Sequence, residues 1–257
     1  MILLDPNARP VIGHRGNRAY APENTLPSFH EAIALGVDAL EFDVHVSRDS
    51  QLVVVHDPTL GRTTNGHGTI VQYTVAELKT FDAGAQFTRD NGRTFPWRGR
   101  GVTISTFDDV IESLPRHLPC IVELKTPNAT EAIRRAIQRH DIAQRVIVAG
   151  FDPAATRPLH GAGFALGAST PDVAKLLLPA LLRHSATTQQ FQALCIPPRW
   201  HGLPLPIAAL TRSLRKSGVV THIWTINDPA HAIRLWADGV NGIISDDPAL
   251  MLATRPQ

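Results

Sequence analysis

The feature that most constrains this chain is a rhythm, in which short apolar runs alternate with amphipathic stretches from one end to the other. Runs near residues 11–13, 38–44, 119–125, 145–151, 164–167, 193–196, 219–226 and 242–245 have the length and apolar content of buried strands. Between them, residues 25–35, 107–114, 130–140, 173–182 and 230–236 repeat apolar side chains at helical spacing. Four junctions share one punctuation. Asp152-Pro153, Thr170-Pro171, Asp228-Pro229 and Asp247-Pro248 each put a capping side chain ahead of a proline whose fixed φ suits the first helical turn. Eight strand–helix units in 257 residues fit a closed α/β (β/α)8 (TIM) barrel better than an open doubly wound sheet. Neither a G-x-G-x-x-G nor a G-x-x-x-x-G-K-S/T phosphate loop is present. We therefore predict a single TIM-barrel domain over residues 1–257.

One stretch breaks the rhythm. Between His56 and Ser105 the chain is rich in Gly, Thr, Arg and Asn, with one short helical piece near residues 75–79. Such a segment reads as an insertion of about residues 57–105 between the second and third barrel strands. Loops on that side of a barrel build its active face, so a small cap over the mouth is expected.

Composition excludes several classes. With 43% hydrophobic and 19% charged residues the chain is neither disordered nor a coiled coil. Its net charge of +2 is a balance of 25 basic and 23 acidic residues spread along the sequence, so no nucleic-acid partner is expected. The opening Met1-Ile2-Leu3-Leu4 is halted by Asp5-Pro6, too soon for the apolar core of a signal peptide, and no apolar run approaches the roughly 20 residues of a membrane span. A cytoplasmic protein without an integral membrane segment is the expectation, and the oligomeric state is left open. Cys120 and Cys195 lie far apart in apolar stretches and read as unpaired buried thiols.

In a TIM barrel the chemistry projects from the C-terminal ends of the strands. Here the first strand ends in His14-Arg15-Gly16, and the second contains Glu41-Phe42-Asp43. Two carboxylates two residues apart in a strand share one face at roughly 6.5–7 Å, close enough to converge on one divalent cation. The run Leu52-Val53-Val54-Val55 ends in His56-Asp57, and the third barrel strand ends in Glu123-Leu124-Lys125. An acidic nest for a hard cation, cationic groups for a phosphate and imidazoles for proton transfer thus gather at one rim. Each has a plainer explanation. A lone histidine at a strand end is usually a packed, hydrogen-bonded residue, and Glu41 and Asp43 could form an inward ion-pair network with Arg15 and Lys125. What favours chemistry is economy: of only 7 Glu and 4 Lys, Glu23, Glu41, Glu123 and Lys125 all fall at the predicted rim.

The order His14-Arg15-Gly16, Pro22-Glu23-Asn24-Thr25, Glu41-Phe42-Asp43-Val44, Val54-Val55-His56-Asp57, Arg62-Thr63-Thr64-Asn65-Gly66, Glu123-Leu124-Lys125, Trp224-Thr225-Ile226-Asn227 and the stretch from Asp238 to Asp246 resembles the glycerophosphodiester phosphodiesterases. The resemblance spans nearly the whole chain and implies a TIM barrel with an inserted segment after the second strand. It implies His14 and His56 as the acid–base pair and Glu41, Asp43 and Glu123 as ligands of one divalent cation, Mg²⁺ or Ca²⁺, with Mn²⁺ also admissible. Arg15 and Lys125 match phosphate-binding positions, and Phe151 and Trp224 match walls around the substrate, although Trp224 reads equally well as a barrel-core aromatic. Glu23, Asn24 and Asp57 match polar residues behind the site, Asn24 doubling as a candidate cap of the first helix. Two departures stand out: Asp49-Ser50-Gln51 replaces the usual Asp-Gly turn, and Gly150-Phe151 replaces Ser-Phe.

The resemblance implies hydrolysis of a glycerophosphodiester, a small-molecule substrate, to glycerol 3-phosphate and an alcohol, with His14 favoured as base and His56 as acid. Two rivals stay open. A lysophospholipase D-like activity would need the inserted segment to offer an apolar groove, for which Phe81, Phe87, Phe95 and Trp97 are candidates, or else they form the segment's own small core. A non-catalytic phosphodiester-binding barrel would need the cation and arginine but not two positioned proton carriers.

Overall fold

Eight parallel strands curl into a TIM barrel in a computed structural model that describes residues 1–185 and 190–256. They are β1 (Val11–His14), β2 (Ala39–Val46), β4 (Cys120–Leu124), β5 (Val146–Ala149), β6 (Ala165–Leu166), β7 (Ala193–Ile196), β10 (Val220–Ile223) and β11 (Gly242–Ser245). Hydrogen bonding runs in the order β6-β5-β4-β2-β1-β11-β10-β7, and the ring closes between β6 and β7 through the single bridge of Gly167 with Ala193. Each of the eight predicted runs is one of these strands. A ninth strand, β3 (Leu52–Val54), pairs antiparallel with the outer half of β2, so the run that leads to His56 leans on the barrel and is not a stave of it.

Alternation decides what faces inward. Val11, Leu40, Phe42, Val122 and Val148 pack outward against helices, with Phe29 of α1 (Leu26–Ala34), Phe107 of α3 (Phe107–Ser113) and Ile133 of α4 (Thr130–His140) in one buried cluster. Their neighbours Ile12, Ala39, Ile121, Ile147, Val220 and Ile244 point inward and meet Leu3, which plugs the N-terminal end of the barrel. The same alternation carries His14, Glu41, Asp43 and Glu123 into the interior, above that apolar layer. No helix among the described residues is long and apolar enough to cross a membrane.

The proline punctuation marks helix starts as expected, with one shift. Asp152, Asp228 and Asp247 accept hydrogen bonds from backbone amides of α5 (Pro153–Thr156), α8 (Pro229–Ala237) and α9 (Pro248–Thr254). For α6 (Thr170–Leu181) the cap is Ser169, not Thr170: the Ser169 amide and hydroxyl both donate to the carboxylate of Asp172 three residues on, which fixes the helix start one residue earlier. The remaining helices are α2 (Val75–Leu78) and α7 (Ile207–Arg215), and a short hairpin, β8 (Arg199–Trp200) with β9 (Leu203–Pro204), lies between β7 and α7.

The segment between β2 and β4 has its own apolar cluster, made of Val53, Val55, Leu60, Ile70, Leu78, Val102 and Ile104. Phe81 and Trp97 pack against that cluster, and the Trp97 indole donates to the carbonyl of Tyr20 in the loop after β1. Phe95 lies beneath the Arg98 guanidinium at 3.7 Å. Phe81, Phe95 and Trp97 are therefore spent on local contacts, whereas Phe87 lines an open cleft of about 580 Å³ together with Arg18, Glu23 and Arg62.

Candidate active site

Strand register places the polar residues side by side. His14 of β1 is level with Glu41 of β2, and Asp43 of β2 is level with Glu123 of β4. Ligand oxygens of Glu41, Asp43 and Glu123 all lie within 4.8 Å of one another, and Glu41 and Asp43 are buried. Lys125 Nζ sits 2.8 Å from Asp43 Oδ1 and also contacts Glu123. Arg15 Nε lies 3.1 Å from Asp43 Oδ2, poorly aligned for a hydrogen bond, while its Nη1 donates to Glu23 Oε1 at 2.7 Å. The contacts of the ion-pair alternative thus exist, yet neither Arg15 nor Lys125 pairs with Glu41 through its side chain: Glu41 Oε2 accepts from the Arg15 backbone amide at 3.3 Å and lies 3.9 Å from His14 Nε2.

The electrostatics of the nest follow from that geometry. Burial, then repulsion from Asp43 and Glu123, pushes Glu41 well above the usual carboxylate range. Burial likewise raises Glu123 despite Lys125. Burial also works against the Asp43 anion, but Lys125 and Arg15 outweigh it and hold Asp43 low. Three oxygen-donor carboxylates with surplus negative charge form the donor set a hard divalent cation requires. Asn24 Nδ2 donates to Asp43 Oδ2 at 2.8 Å from a left-handed backbone (φ 59), so it orients the nest, and the cap of α1 is Thr25.

Each histidine is held by a carboxylate through the same ring atom. His14 Nδ1 is 2.6 Å from Asp246 Oδ1, and His56 Nδ1 is 2.6 Å from Asp57 Oδ1. Nε2 of each ring is left as the atom able to exchange a proton. Burial lowers the His56 pKa, against the pull of Asp43. Burial opposes the Asp246 anion too, but its bond to His14 wins and brings it to about 2.

Behind the two pairs stands Glu23. Its carboxylate accepts from Arg15, from Arg18 Nε at 2.9 Å and from Arg62 at 2.6 and 2.9 Å; Arg18 reaches on to Asp246, and Arg62 to Asp57. One buried carboxylate therefore joins both His–Asp pairs. Burial disfavours its charge, but hydrogen bonds from Arg62 and the nearby arginines drive its pKa far down.

A cavity of about 60 Å³ is lined by His14, Arg15, Glu41, His56, Glu123 and Lys125 on its polar side, and by Phe151 and Trp224 on its apolar side. The rings of Phe151 and Trp224 lie 5.7 Å apart, edge to face. All the residues picked out as direct site residues meet at this one cavity except Asp43, which lies behind Lys125 and Arg15. Arg62 and Asp246 stand in stretches that carry the resemblance but are given no site role there, and Arg18 stands in none of them. Asp246 had a legible signal, because Gly13 is level with Ser245 once the last strand closes beside the first, so the residues that follow each, His14 and Asp246, emerge together.

Residues 14–250 match the glycerophosphoryl diester phosphodiesterase family. The chain belongs to that family. It is 31% identical over 248 residues to the glycerophosphodiester phosphodiesterase of Caldanaerobacter subterraneus subsp. tengcongensis, covering 94% of this chain and 96% of the relative. It is 28% identical to the Bacillus subtilis glycerophosphodiester phosphodiesterase, covering 96% and 87%. Among family structures, the phosphodiesterase of Oleispira antarctica, solved with the product sn-glycerol-3-phosphate, superposes with a TM-score of 0.77 at 26% identity over 96% of each chain. A glycerophosphoryl diester phosphodiesterase domain from Mycobacterium tuberculosis reaches a TM-score of 0.84 at 21% identity over 96% of this chain and 98% of that one, which speaks to fold alone.

Proposed function

We propose that this chain is a divalent-metal-dependent hydrolase that converts glycerophosphodiesters to glycerol 3-phosphate and an alcohol. The observation that carries the reading is two carboxylate-held histidines beside one three-carboxylate nest, with Arg15 and Lys125 at the same cavity. Membership of the family and the product-bound relative from Oleispira antarctica support it. In this reading residues 1–257 act as one domain, and the segment of about 57–105 caps the mouth.

Glu41, Asp43 and Glu123 would hold the cation, Mg²⁺, Ca²⁺ or Mn²⁺, which when bound supplies positive charge to the non-bridging phosphate oxygens. Arg15 and Lys125 add fixed positive charge beside the same oxygens. His14, with Asp246 fixing its tautomer, takes the proton of the attacking hydroxyl at Nε2. His56, steadied by Asp57, gives a proton to the departing alkoxide. Asn24, Glu23 and Asp57 hold these groups in place, and Phe151 and Trp224 wall the alcohol side.

Product analysis with glycerophosphocholine and glycerophosphoethanolamine, with and without chelator, tests the reading. Glycerol 3-phosphate is expected only when a divalent cation is supplied. Replacing His14 or His56 with Ala is expected to lower kcat by roughly 10²–10⁴-fold. A p-nitrophenyl diester, whose leaving group needs no proton, should rescue His56→Ala and leave His14→Ala impaired. Near-normal kcat for either variant on glycerophosphocholine sinks its assigned role.

A further inference from the structure

The reaction centre has an apolar neighbour. Phe151, Ala168 and Cys195 line the cavity described above and also a second one of about 90 Å³. Its other walls include Val173, Ala174 and Leu177 of α6, with Trp200 and Leu205 from the hairpin region. Phe151 stands between the two, its ring 5.7 Å from Trp224 on one side and 5.7 Å from Trp200 on the other. Of the residues around this second cavity only Thr170, Cys195 and Trp200, the last through its indole N–H, carry a polar side-chain atom. The two elements that wall it also bear large exposed apolar side chains: Leu178 and Leu181 on α6, and Leu203 on β9, which is 71% exposed. Elsewhere the centre borders the open cleft of about 580 Å³ in which Arg18, Glu23, Arg62, Arg89 and Asp246 alternate with apolar residues such as Ala83 and Phe87. A diester spanning the centre therefore meets a charged, mixed surface on one arm and nearly unbroken hydrocarbon on another.

We propose that the groove between α6 and the β8–β9 hairpin is a subsite for an aliphatic chain carried by the diester, so that the protein favours amphiphilic diesters over small polar ones. This rests on the phosphodiesterase reading and deepens it. A chain leaving water for this groove gains about fourfold in kcat/KM for each methylene fully buried. The gain stops when the chain outgrows the groove. A phosphate held at the nest orients the chain, because Phe151 and Cys195 belong to both cavities.

Two substrate sets, each kept below its micelle concentration, test this. One is sn-glycero-3-phosphoalkyl diesters with ethyl, butyl, hexyl and octyl alcohols; the other is lysophosphatidylcholines with short acyl chains. The first puts the chain on the departing alcohol and the second on the glycerol side. In at least one set kcat/KM should climb with length, on the order of 10²-fold over four methylenes. That long-to-short ratio should collapse toward one in Ala174→Trp, which fills the groove from an exposed helical position, and fall in Leu177→Asp. Thermal melts establish that both variants fold. A flat length dependence in both sets, or a steep one that both variants retain, overturns the subsite while hydrolysis of the ethyl diester leaves the phosphodiesterase reading standing. No hydrolysis of any diester, the ethyl one included, refutes the phosphodiesterase reading, and with it the subsite built on it.

Discussion

A histidine remote from the chemistry gives the sharpest stability test. His222 of β10 points into the barrel with no exposure to solvent, in space that exists because residue 242 is glycine: a Cβ there would lie 2.2 Å from His222 Nδ1. Its Nε2 donates to the carbonyl of Leu3 at 2.9 Å, and its Nδ1 has no hydrogen-bond partner among the described residues. Burial, opposed only by the Leu3 carbonyl, lowers its pKa from 6.5 to about 4. The unfolded chain therefore takes up a proton between pH 6.5 and 4 that the folded chain refuses. Stability is fully present above about pH 6.5 and is lost as pH falls toward 4. A gap of about 2.5 between the two pKa values, at about 1.36 kcal/mol each, makes the full loss about 3 kcal/mol. That is a large share of the 5–15 kcal/mol typical of a domain. Urea unfolding of wild type and of His222→Gln, which keeps a donor for Leu3 but does not titrate, isolates this contribution because all other groups titrate in both proteins. The difference in unfolding free energy should move by about 3 kcal/mol in favour of wild type between pH 4 and pH 7. A difference flat to within about 0.5 kcal/mol, the usual additivity error, would show that the folded ring is freely protonated and refute the argument.

Two further outcomes are expected at the site itself. Asp246→Asn keeps its shape but no longer favours a proton on His14 Nδ1, so kcat should drop by about 10²–10⁴-fold with little change in melting temperature; an unchanged kcat would mean that Asp246 does not position His14. Glu123→Gln should raise the metal concentration needed for half-maximal activity at least about tenfold, whereas Lys125→Met should leave metal affinity intact or tighter, since it removes an ammonium competing for the same carboxylates, and should lower kcat/KM. Unchanged metal dependence in Glu123→Gln, with wild-type catalysis when both residues are neutral, leaves Glu123 and Lys125 as a structural ion pair.

Periodicity made the barrel legible because each strand's alternation has one solution: helix-packing residues out, Ile12, Ile121 and Ile244 in, and the polar residues of the same phase above them. His14, Glu41, Asp43 and Glu123 are therefore readable as inward-facing before any contact is known. Contacts made through loops are another matter. Arg18 and Arg62 lie in irregular segments 44 residues apart, and nothing in their local sequence says that both will close on Glu23. The Ser169 cap was displaced from the expected Thr170 because a capping box depends on a residue three places ahead.

The apolar groove shows the limit most clearly. Aromatic residues in the inserted segment are the conspicuous apolar signal of the sequence, yet a segment folding around its own small cluster must bury something, and Phe81 and Trp97 are what it has. The groove instead arises where Val173 and Leu177, on one helical face, meet Trp200 and Leu205 from a hairpin of two-residue strands. Strands that short carry no periodicity, so the hairpin reads as loop. Its position is set by pairing between β8 and β9 and by the tilted contact of Trp200 with Phe151, a residue about fifty positions earlier in the chain. Specificity here would thus be written in a region whose form depends on the finished fold, whereas the reactive groups sit on strands whose phase is fixed locally. The chemistry of such a chain is readable earlier than its choice of substrate.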